Sequence, residues 1–206
     1  MLIRFILNLL FPQTENQQHI TRLLAHESLL VSELRIFHTP FLTFSLFQYR
    51  NPIIRDLIWH LKYYGDDRIA TFFAETIHST IRLSNTSSKT LIIPIPITRK
   101  KARLRGYNQS GLIAKALAKL KPEQYDFNNN VLYKIKDTLS QARLKDKQKR
   151  LKNVKDSFAI KDKAALAGRS VILIDDVWTT GGTLTEASKV VLEAGAKNIV
   201  WITIAH

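Results

Sequence analysis

Two adjacent carboxylates and a glycine-threonine turn lie close together near the end of the sequence. Asp175 and Asp176 follow the apolar run Val171-Ile-Leu-Ile174, and the turn Thr179-Thr-Gly-Gly-Thr183 comes next. Paired carboxylates can accept hydrogen bonds from a vicinal diol. The glycines let several backbone N–H groups converge on one anion, and the threonine hydroxyls add further donors. A phosphate and a diol at this separation describe a ribose 5-phosphate.

The structural alternative for this segment is a strand-to-helix turn with an N-cap and two solvated aspartates. The turn lacks the lysine of a P-loop and the Gly-x-Gly-x-x-Gly spacing of a dinucleotide fold. Four apolar residues, a paired acid and a Thr-Thr-Gly-Gly-Thr turn seldom coincide in one segment. The pattern therefore favours a sugar-phosphate site.

The elements around this segment form a strand, turn, helix and strand. Val171–Ile174 is a continuous apolar and mostly β-branched run, which is typical of a strand covered on both faces. A helix is predicted over residues 182–194 and a second strand over residues 199–204, so the unit should be parallel and right-handed. Open α/β sheets bind ligands at the carboxyl ends of their strands. The acids and the turn should therefore share one edge of a sheet.

The remaining elements are weaker predictions. Asn51 and Pro52 fit the N-cap and first position of a helix that ends at Gly65, and Asn108 fits the N-cap of another. A basic loop should precede Asn108. The predicted helices cover residues 1–38, 52–64, 67–83 and 108–120, and the predicted strands cover residues 41–49, 91–93 and 131–135.

Length and composition suit one α/β domain with a small extension. The chain has 206 residues and 45% hydrophobic content. We expect an N-terminal extension over residues 1–40 and the main domain over residues 41–206. The apolar start is too short to span a membrane and lacks a cleavage site, so no transmembrane segment is expected. The sequence has no cysteine, which excludes disulfides and fits a cytoplasmic protein.

Nearly all of the net charge of +14 lies in one segment. Residues 99–155 hold 17 Lys and Arg against 4 Asp and Glu, a net of +13, whereas the rest of the chain nets +1. Such a concentration attracts phosphates of a sugar phosphate or of a nucleic acid. A solvated basic face that aids solubility is the alternative.

Four segments resemble the ComF family of competence-associated, phosphoribosyltransferase-like proteins. They are the acid-and-turn segment, the stretch from Leu91-Ile-Ile-Pro-Ile-Pro to Arg-Gly-Tyr-Asn-Gln109, the helix Ile54 to Asp66, and the stretch Thr138-Leu-Ser-Gln to Asn153-Val154. They occur in the family's order and cover about residues 50 to 206. The resemblance implies an α/β type I phosphoribosyltransferase fold with a mostly parallel sheet flanked by helices and a small N-terminal helical extension.

The resemblance also implies a ligand, 5-phosphoribosyl 1-pyrophosphate (PRPP), bound with Mg²⁺. Asp175 and Asp176 would hold the 2- and 3-hydroxyls of its ribose. The 5-phosphate would lie on the turn, whose residues are Thr179, Thr180, Gly181, Gly182 and Thr183. The cations implied for catalysis are Arg99, Lys100, Arg103 and Arg105 for pyrophosphate, in and after the loop of residues 97–101, and Arg143 in a closing loop of residues 140–153. For each of these cations singly, a generic surface charge is nearly as good an interpretation.

The sequence departs from related patterns in two places. ComF-like proteins commonly carry N-terminal cysteine pairs that build a zinc ribbon, and this chain has none, so no metal site in the protein and no zinc are expected. Hypoxanthine-guanine phosphoribosyltransferases have an aspartate, a candidate general base, where this chain has Thr179. A purine salvage role of that kind is therefore disfavoured.

Two functions are compatible with these observations. One is an enzyme, linked to natural transformation, that transfers ribose 5-phosphate from PRPP to an unknown acceptor and releases pyrophosphate. The other is a non-enzymatic cytoplasmic DNA-uptake factor that binds single-stranded DNA or competence-machinery proteins and keeps PRPP as a regulator. Trp59, Tyr63 and Tyr64 could stack on a base or on DNA. Core packing is the favoured interpretation for Trp59.

Overall fold

The computed structural model describes residues 15–25, 33–81, 88–136 and 154–206. The chain divides into two compact units, residues 1–31 and residues 32–206. Helix α1 (Glu15–Ala25) is the described part of the first unit. The domain division at residue 40 stays a prediction.

The second unit alternates strands and helices. Its strands are β1 (Arg35–His38), β2 (Leu42–Phe47), β3 (Thr90–Pro94), β4 (Tyr125–Phe127), β5 (Leu132–Lys134), β6 (Phe158–Ile160), β7 (Ser170–Val177) and β8 (Asn198–Ala205). Its helices are α2 (Pro52–Tyr64), α3 (Asp67–Thr80), α4 (Arg99–Arg105), α5 (Gln109–Leu120) and α6 (Gly182–Glu193).

The main sheet has six strands in the order β1-β2-β8-β7-β3-β4. Every neighbouring pair is parallel except β1 and β2, which are antiparallel. Strands β5 and β6 form a separate antiparallel pair. The predicted fold class, a mostly parallel sheet flanked by helices, is confirmed, and β7 lies inside the sheet between β3 and β8. Residues 171–174 of β7 are all at most 1% exposed, as the β-branched run predicts.

Helix α2 begins and ends where the sequence predicts. The Asn51 side chain accepts a hydrogen bond from the Ile53 backbone N–H at 3.0 Å, and Pro52 occupies the first helical position. Gly65 ends the helix at φ +64°. A Cβ at Gly65 would lie 2.8 Å from the Tyr107 ring, so both the backbone conformation and the ring require glycine there.

Helix α5 is capped by Asn108, as predicted. Its side-chain oxygen accepts from the Ser110 N–H at 3.2 Å, while its amide donates to the Ile95 carbonyl at 3.0 Å. Ile95 directly follows β3, so the same side chain fixes the start of α5 against the carboxyl end of that strand.

Three expectations about local structure are wrong. Residues 99–105 form the short helix α4 rather than a loop, because Thr98 caps its start and Gly106 ends it at φ +78°. Residues 35–38, expected to be helical, pair with β2 because an edge strand satisfies its backbone through the sheet. Trp59 is 46% exposed and does not pack in the core.

No helix among the described residues is long and apolar enough to cross a membrane.

Candidate ligand-binding site

A cavity of about 370 Å³ opens at the carboxyl ends of β3 and β7. Both carboxylates, Asp175 and Asp176, line it, as do residues 95–98 after β3. Thr179, Gly181 and Thr183 of the turn line it as well, so the structure brings the acids and the turn to one cavity. Four cations line the same cavity: Lys62, Lys101, Lys134 and Arg105.

The two carboxylates differ in their contacts. Asp175 Oδ1 accepts from the Asp176 N–H at 2.9 Å and from the Ser110 hydroxyl at 3.3 Å. Asp176 Oδ1 accepts from the Val177 N–H at 2.9 Å. Asp176 Oδ2 contacts the Lys62 ammonium at 2.7 Å and accepts from the Gln109 amide at 3.3 Å. Asp176 therefore has both oxygens engaged by protein groups.

The protonation of the pair follows from this arrangement. Burial, reinforced by the adjacent Asp176 charge, raises the pKa of Asp175 to about 7. Burial also opposes ionisation of Asp176, but the Lys62 ammonium outweighs it and holds the pKa of Asp176 below its usual value. Burial likewise disfavours the charged form of Lys62, yet Asp176 raises the pKa of Lys62 overall. Near neutral pH, Asp175 is therefore the member of the pair that titrates, while Asp176 stays ionised and Lys62 stays charged.

Burial gives Asp176 a role in stability as well. A carboxylate at a strand end that faces a ligand ordinarily contributes little to a core, but Asp176 differs in its burial and in its partner. Asp176 is only 7% exposed and is the partner of Lys62, whose side chain is 24% exposed. Removing one member of a partly buried ion pair leaves the other uncompensated. We therefore expect the Asp176 replacement to lower the free energy of unfolding.

The turn before α6 is shaped for close approach to a ligand. Gly181 caps the helix at φ +76° with no side-chain capping bond, which leaves the first N–H groups of α6 without a side-chain cap. A Cβ at Gly181 would lie 2.9 Å from the Trp178 indole nitrogen. Trp178 Nε1 and the Thr180 hydroxyl are buried and lack hydrogen-bond partners among the described residues. An anion in this turn would meet donors that the protein itself leaves unsatisfied.

The basic residues predicted from the sequence separate into two groups. Arg105 lines the cavity, where it donates to the Gln109 carbonyl oxygen at 3.0 Å and its guanidinium lies 5.3 Å from the Tyr63 ring centre. Arg99, Lys100 and Arg103 are exposed and are not among the lining residues. Their contact with pyrophosphate stays a prediction, and Arg143 with its loop lies outside the described residues.

The lining cations Lys101 and Lys134 were not predicted from the sequence, and neither were three polar residues around the acids. These three are Lys62, Gln109 and Ser110, which contact the two acids. Lys62 follows the buried Ile58 by four residues, so the helical period places it beside the apolar face of α2. A lysine beside an apolar face needs an anionic partner. The spacing of Lys62 from Ile58 is therefore the sequence feature that could have identified this residue.

Among the described residues, no group of three or more His, Cys, Asp or Glu side chains is placed to hold a metal ion. The expectation of no zinc stays a prediction, because residues 1–14 and 26–32 lie outside the described part.

Comparison with known proteins gives a family match and several curated relatives. Residues 110–206 match the family model described as the phosphoribosyl transferase domain. Competence protein F of Haemophilus influenzae is 37% identical over 112 residues, covering 53% of this chain and 48% of that protein. Competence protein ComFC of Bacillus subtilis is 28% identical over 145 residues, covering 70% and 56%. The predicted resemblance to the ComF family is confirmed. The ComF-like chain therefore aligns with about half the length of these two relatives.

More distant proteins share parts of the ComF-like chain. DNA utilization protein YhgH of Escherichia coli is 27% identical over 156 residues, which cover 73% of this chain and 66% of that protein. Among solved structures, adenine phosphoribosyltransferase from Leishmania donovani aligns with 82% of this chain and 73% of that chain, at 14% identity and a TM-score of 0.45. Structural similarity at that TM-score is too low to assign a role to any residue.

Proposed function

We propose that this ComF-like protein binds PRPP and transfers its ribose 5-phosphate unit to an acceptor, with release of pyrophosphate. The observation that carries the proposal is the shared cavity of the Asp175–Asp176 pair and the turn at the start of α6. Carboxylates recognise a diol, and a glycine-rich helix start recognises a phosphate. The match of residues 110–206 to the phosphoribosyl transferase domain supports the same ligand class.

The 5-phosphate would lie on the turn before α6. The N–H groups at that helix start carry partial positive charge, and the Thr180 hydroxyl supplies a buried donor without a partner among the described residues. Gly181 keeps the backbone accessible, because any larger residue there would strain φ and meet Trp178. Binding of the phosphate would hold the anomeric carbon of the ribose near the acids.

The pyrophosphate would lie on the basic side of the cavity. Displacement at the anomeric carbon leaves charge on the departing pyrophosphate, and positioned cations stabilise that charge. Lys101 and Arg105 line the cavity from α4, where burial and the Arg105 charge together lower the pKa of Lys101. The proposed residues for this task are therefore those two, ahead of the exposed Arg99, Lys100 and Arg103.

The donors in the cavity fit a Mg²⁺ ion that arrives with PRPP. The pKa of Asp175 is raised and Asp176 contacts Lys62, so this pair offers at most one or two carboxylate ligands. Mg²⁺ is commonly held in this way, by substrate oxygens, water and one or two carboxylates. When bound, the ion would neutralise charge on the departing pyrophosphate.

The proposal is tested by calorimetry with PRPP and Mg²⁺, followed by a pyrophosphate-release assay over a panel of bases and amines. We expect Asp175→Asn to lose at least about tenfold in PRPP affinity, because a buried acceptor and donor site is altered. Asp67→Asn, at an exposed position on α3, is the matched control and should bind as the wild type does. Absence of PRPP binding by the folded wild type would refute the proposal. Binding of PRPP without release of its pyrophosphate in the presence of any tested acceptor would make the site a PRPP sensor.

A second function is favoured by an exposed aromatic and basic surface. Trp59, Tyr63 and Tyr64 are 46%, 56% and 53% exposed, and both tyrosine rings lie within 5.6 Å of the Trp59 ring centre. Exposed aromatic rings beside cations can stack bases of single-stranded nucleic acid. Relatives named competence and DNA utilization proteins fit a cytoplasmic role in DNA uptake with DNA or competence-machinery partners.

Binding of single-stranded DNA at several salt concentrations tests this second function. Each neutralised phosphate contributes a log–log salt slope of about −0.7. A triple variant of the exposed cations, Arg99→Gln, Lys100→Gln and Arg103→Gln, should bind DNA more weakly with a shallower slope and should keep PRPP affinity. Loss of PRPP affinity in that variant would instead assign the three cations to pyrophosphate. No DNA binding by the wild type at low salt would refute the second function.

A further inference from the structure

We infer that Asp175 and Asp176 have different tasks: Asp175 binds the ribose hydroxyls, whereas Asp176 positions the Lys62 ammonium as a binding residue for the diphosphate end of the ligand. The inference rests on the proposed PRPP-binding function. It assigns a contact with the diphosphate to a helix, α2, that carries none of the PRPP-binding residues implied by the resemblance.

The contacts of the two acids carry the first step. Asp176 already takes three protein groups, from Val177, Gln109 and Lys62, and these engage both of its oxygens. Asp175 accepts from Ser110 and from the Asp176 N–H on Oδ1, and its remaining side-chain bond is to Asp176, so it contacts no cation directly among the described residues. A ribose hydroxyl approaching Asp176 Oδ2 would compete with an ammonium at 2.7 Å. A charge-assisted bond of that kind is stronger than a neutral hydroxyl bond. Asp175 is therefore the carboxyl group with capacity for the diol.

The placement of Lys62 carries the second step. Its side chain is 24% exposed and lines the cavity. An ammonium has three donors, and the contact with Asp176 accounts for one. The end of α2 cannot shift easily, because Gly65 lies directly against the Tyr107 ring. The lysine is thus held at the cavity by its helix and by Asp176.

The charge around Asp176 carries the third step. Gln109 donates to Asp176 and accepts from Arg105, so one carboxylate orients Lys62 directly and Arg105 through an amide. Among the described residues, four cations and two carboxyl groups line the cavity, and the raised pKa of Asp175 lowers its share of negative charge near neutral pH. An excess of positioned positive charge fits the diphosphate and not the neutral diol. Asp176 therefore acts as an anchor for cations.

The competing interpretation is that Lys62 only neutralises Asp176 in the empty site and moves away when a diol binds. The two interpretations predict opposite effects on different parts of the ligand. Ribose 5-phosphate contains the diol and the 5-phosphate, and magnesium pyrophosphate contains the diphosphate alone. Comparing these two ligands with PRPP separates the interpretations.

The experiment measures the dissociation constants of ribose 5-phosphate, magnesium pyrophosphate and PRPP by calorimetry. Lys62→Gln removes the charge and keeps a donor for Asp176, so the fold should be retained. We expect it to weaken pyrophosphate and PRPP by about tenfold or more and ribose 5-phosphate by less than about threefold. Lys62→Arg should restore most of the pyrophosphate affinity. Lys115→Gln, at an exposed position on α5, is the matched control and should change none of the three.

The two aspartates complete the test. Asp176→Asn should follow the pattern of Lys62→Gln, whereas Asp175→Asn should weaken ribose 5-phosphate and leave magnesium pyrophosphate nearly unchanged. Tighter ribose 5-phosphate binding by Lys62→Gln, or equal losses for all three ligands, would overturn the inference while the wild type still binds PRPP. If the folded wild type binds none of the three ligands, the proposed function and the inference both fail.

Discussion

Replacing Asp175 with asparagine should remove a pH dependence from the stability of the ligand-free protein. The pKa of Asp175 is raised from 3.8 to about 7 in the folded protein, because desolvation at its partly buried position and the adjacent Asp176 charge both disfavour ionisation. The folded state therefore binds a proton that the unfolded state has released at intermediate pH. Stability from this group is fully present below pH 3.8 and is lost as the pH rises to about 7.

The magnitude follows from the two pKa values. The interval from 3.8 to about 7, at about 1.4 kcal/mol per pH unit, gives about 4 kcal/mol over the whole window. Between pH 5 and pH 7 the same slope gives about 3 kcal/mol, and above pH 7 it levels off. The asparagine introduced at position 175 keeps an acceptor for the Asp176 N–H and the Ser110 hydroxyl and cannot titrate.

The assay is urea unfolding of the wild type and of Asp175→Asn at pH 5, 6, 7 and 8, with linear extrapolation to water. The variant should gain stability relative to the wild type by about 3 kcal/mol between pH 5 and pH 8. Asp67→Asn removes an exposed carboxylate and serves as the control. Its free energy of unfolding should depend on pH in the same way as that of the wild type. If the relative stability of Asp175→Asn changes by less than about 1 kcal/mol across that range, the burial argument for Asp175 is wrong.

Three further predictions concern the turn, the core and metal content. Gly181→Ala should destabilise the protein by about 1 kcal/mol more than Gly106→Ala, since both have positive φ but only Gly181 would bring a Cβ within 2.9 Å of Trp178 Nε1; equal losses in thermal melts would contradict this. Ser188→Ala should cost about 1–3 kcal/mol in the wild type and clearly less in a Trp201→Phe background, because the indole of Trp201 donates to Ser188 at 2.8 Å; a double-mutant cycle without coupling would count against that bond. The purified protein should hold no stoichiometric zinc and should keep its melting temperature in chelator, since it has no cysteine; one zinc per chain by elemental analysis would show otherwise.

The parts of the structure that the sequence predicted are those set by neighbouring residues. Strand β7 is indicated by four consecutive apolar residues, three of them β-branched, and α2 is indicated by Asn51, Pro52 and Gly65 at its ends. Helix α4 was missed because residues 99–105 have no apolar period, and its ends are fixed by the cap at Thr98 and the positive φ of Gly106.

The parts that the sequence did not predict are those set by contacts between distant segments. The acids were found as a local pair, but the contact of Asp176 with Lys62 joins α2 to β7 and has no local pattern. Three-residue strands such as β4 and β6 are too short for periodicity to identify. Trp59 was misplaced because the side of a helix that faces solvent depends on its packing partners, which one helix alone does not specify.

The indole of Trp178 gives this protein a built-in optical reporter. Its ring lies edge-to-face on Phe37 of β1 at 4.5 Å, and its nitrogen lies against Gly181 in the turn. Trp59 is solvent-exposed and Trp201 is buried with its nitrogen bonded to Ser188, so the three tryptophans have distinct surroundings. In a variant that keeps Trp178 as its single tryptophan, the fluorescence of Trp178 would therefore report the binding of an anion in the turn. An anion that reached the buried indole N–H would alter that emission without any attached dye.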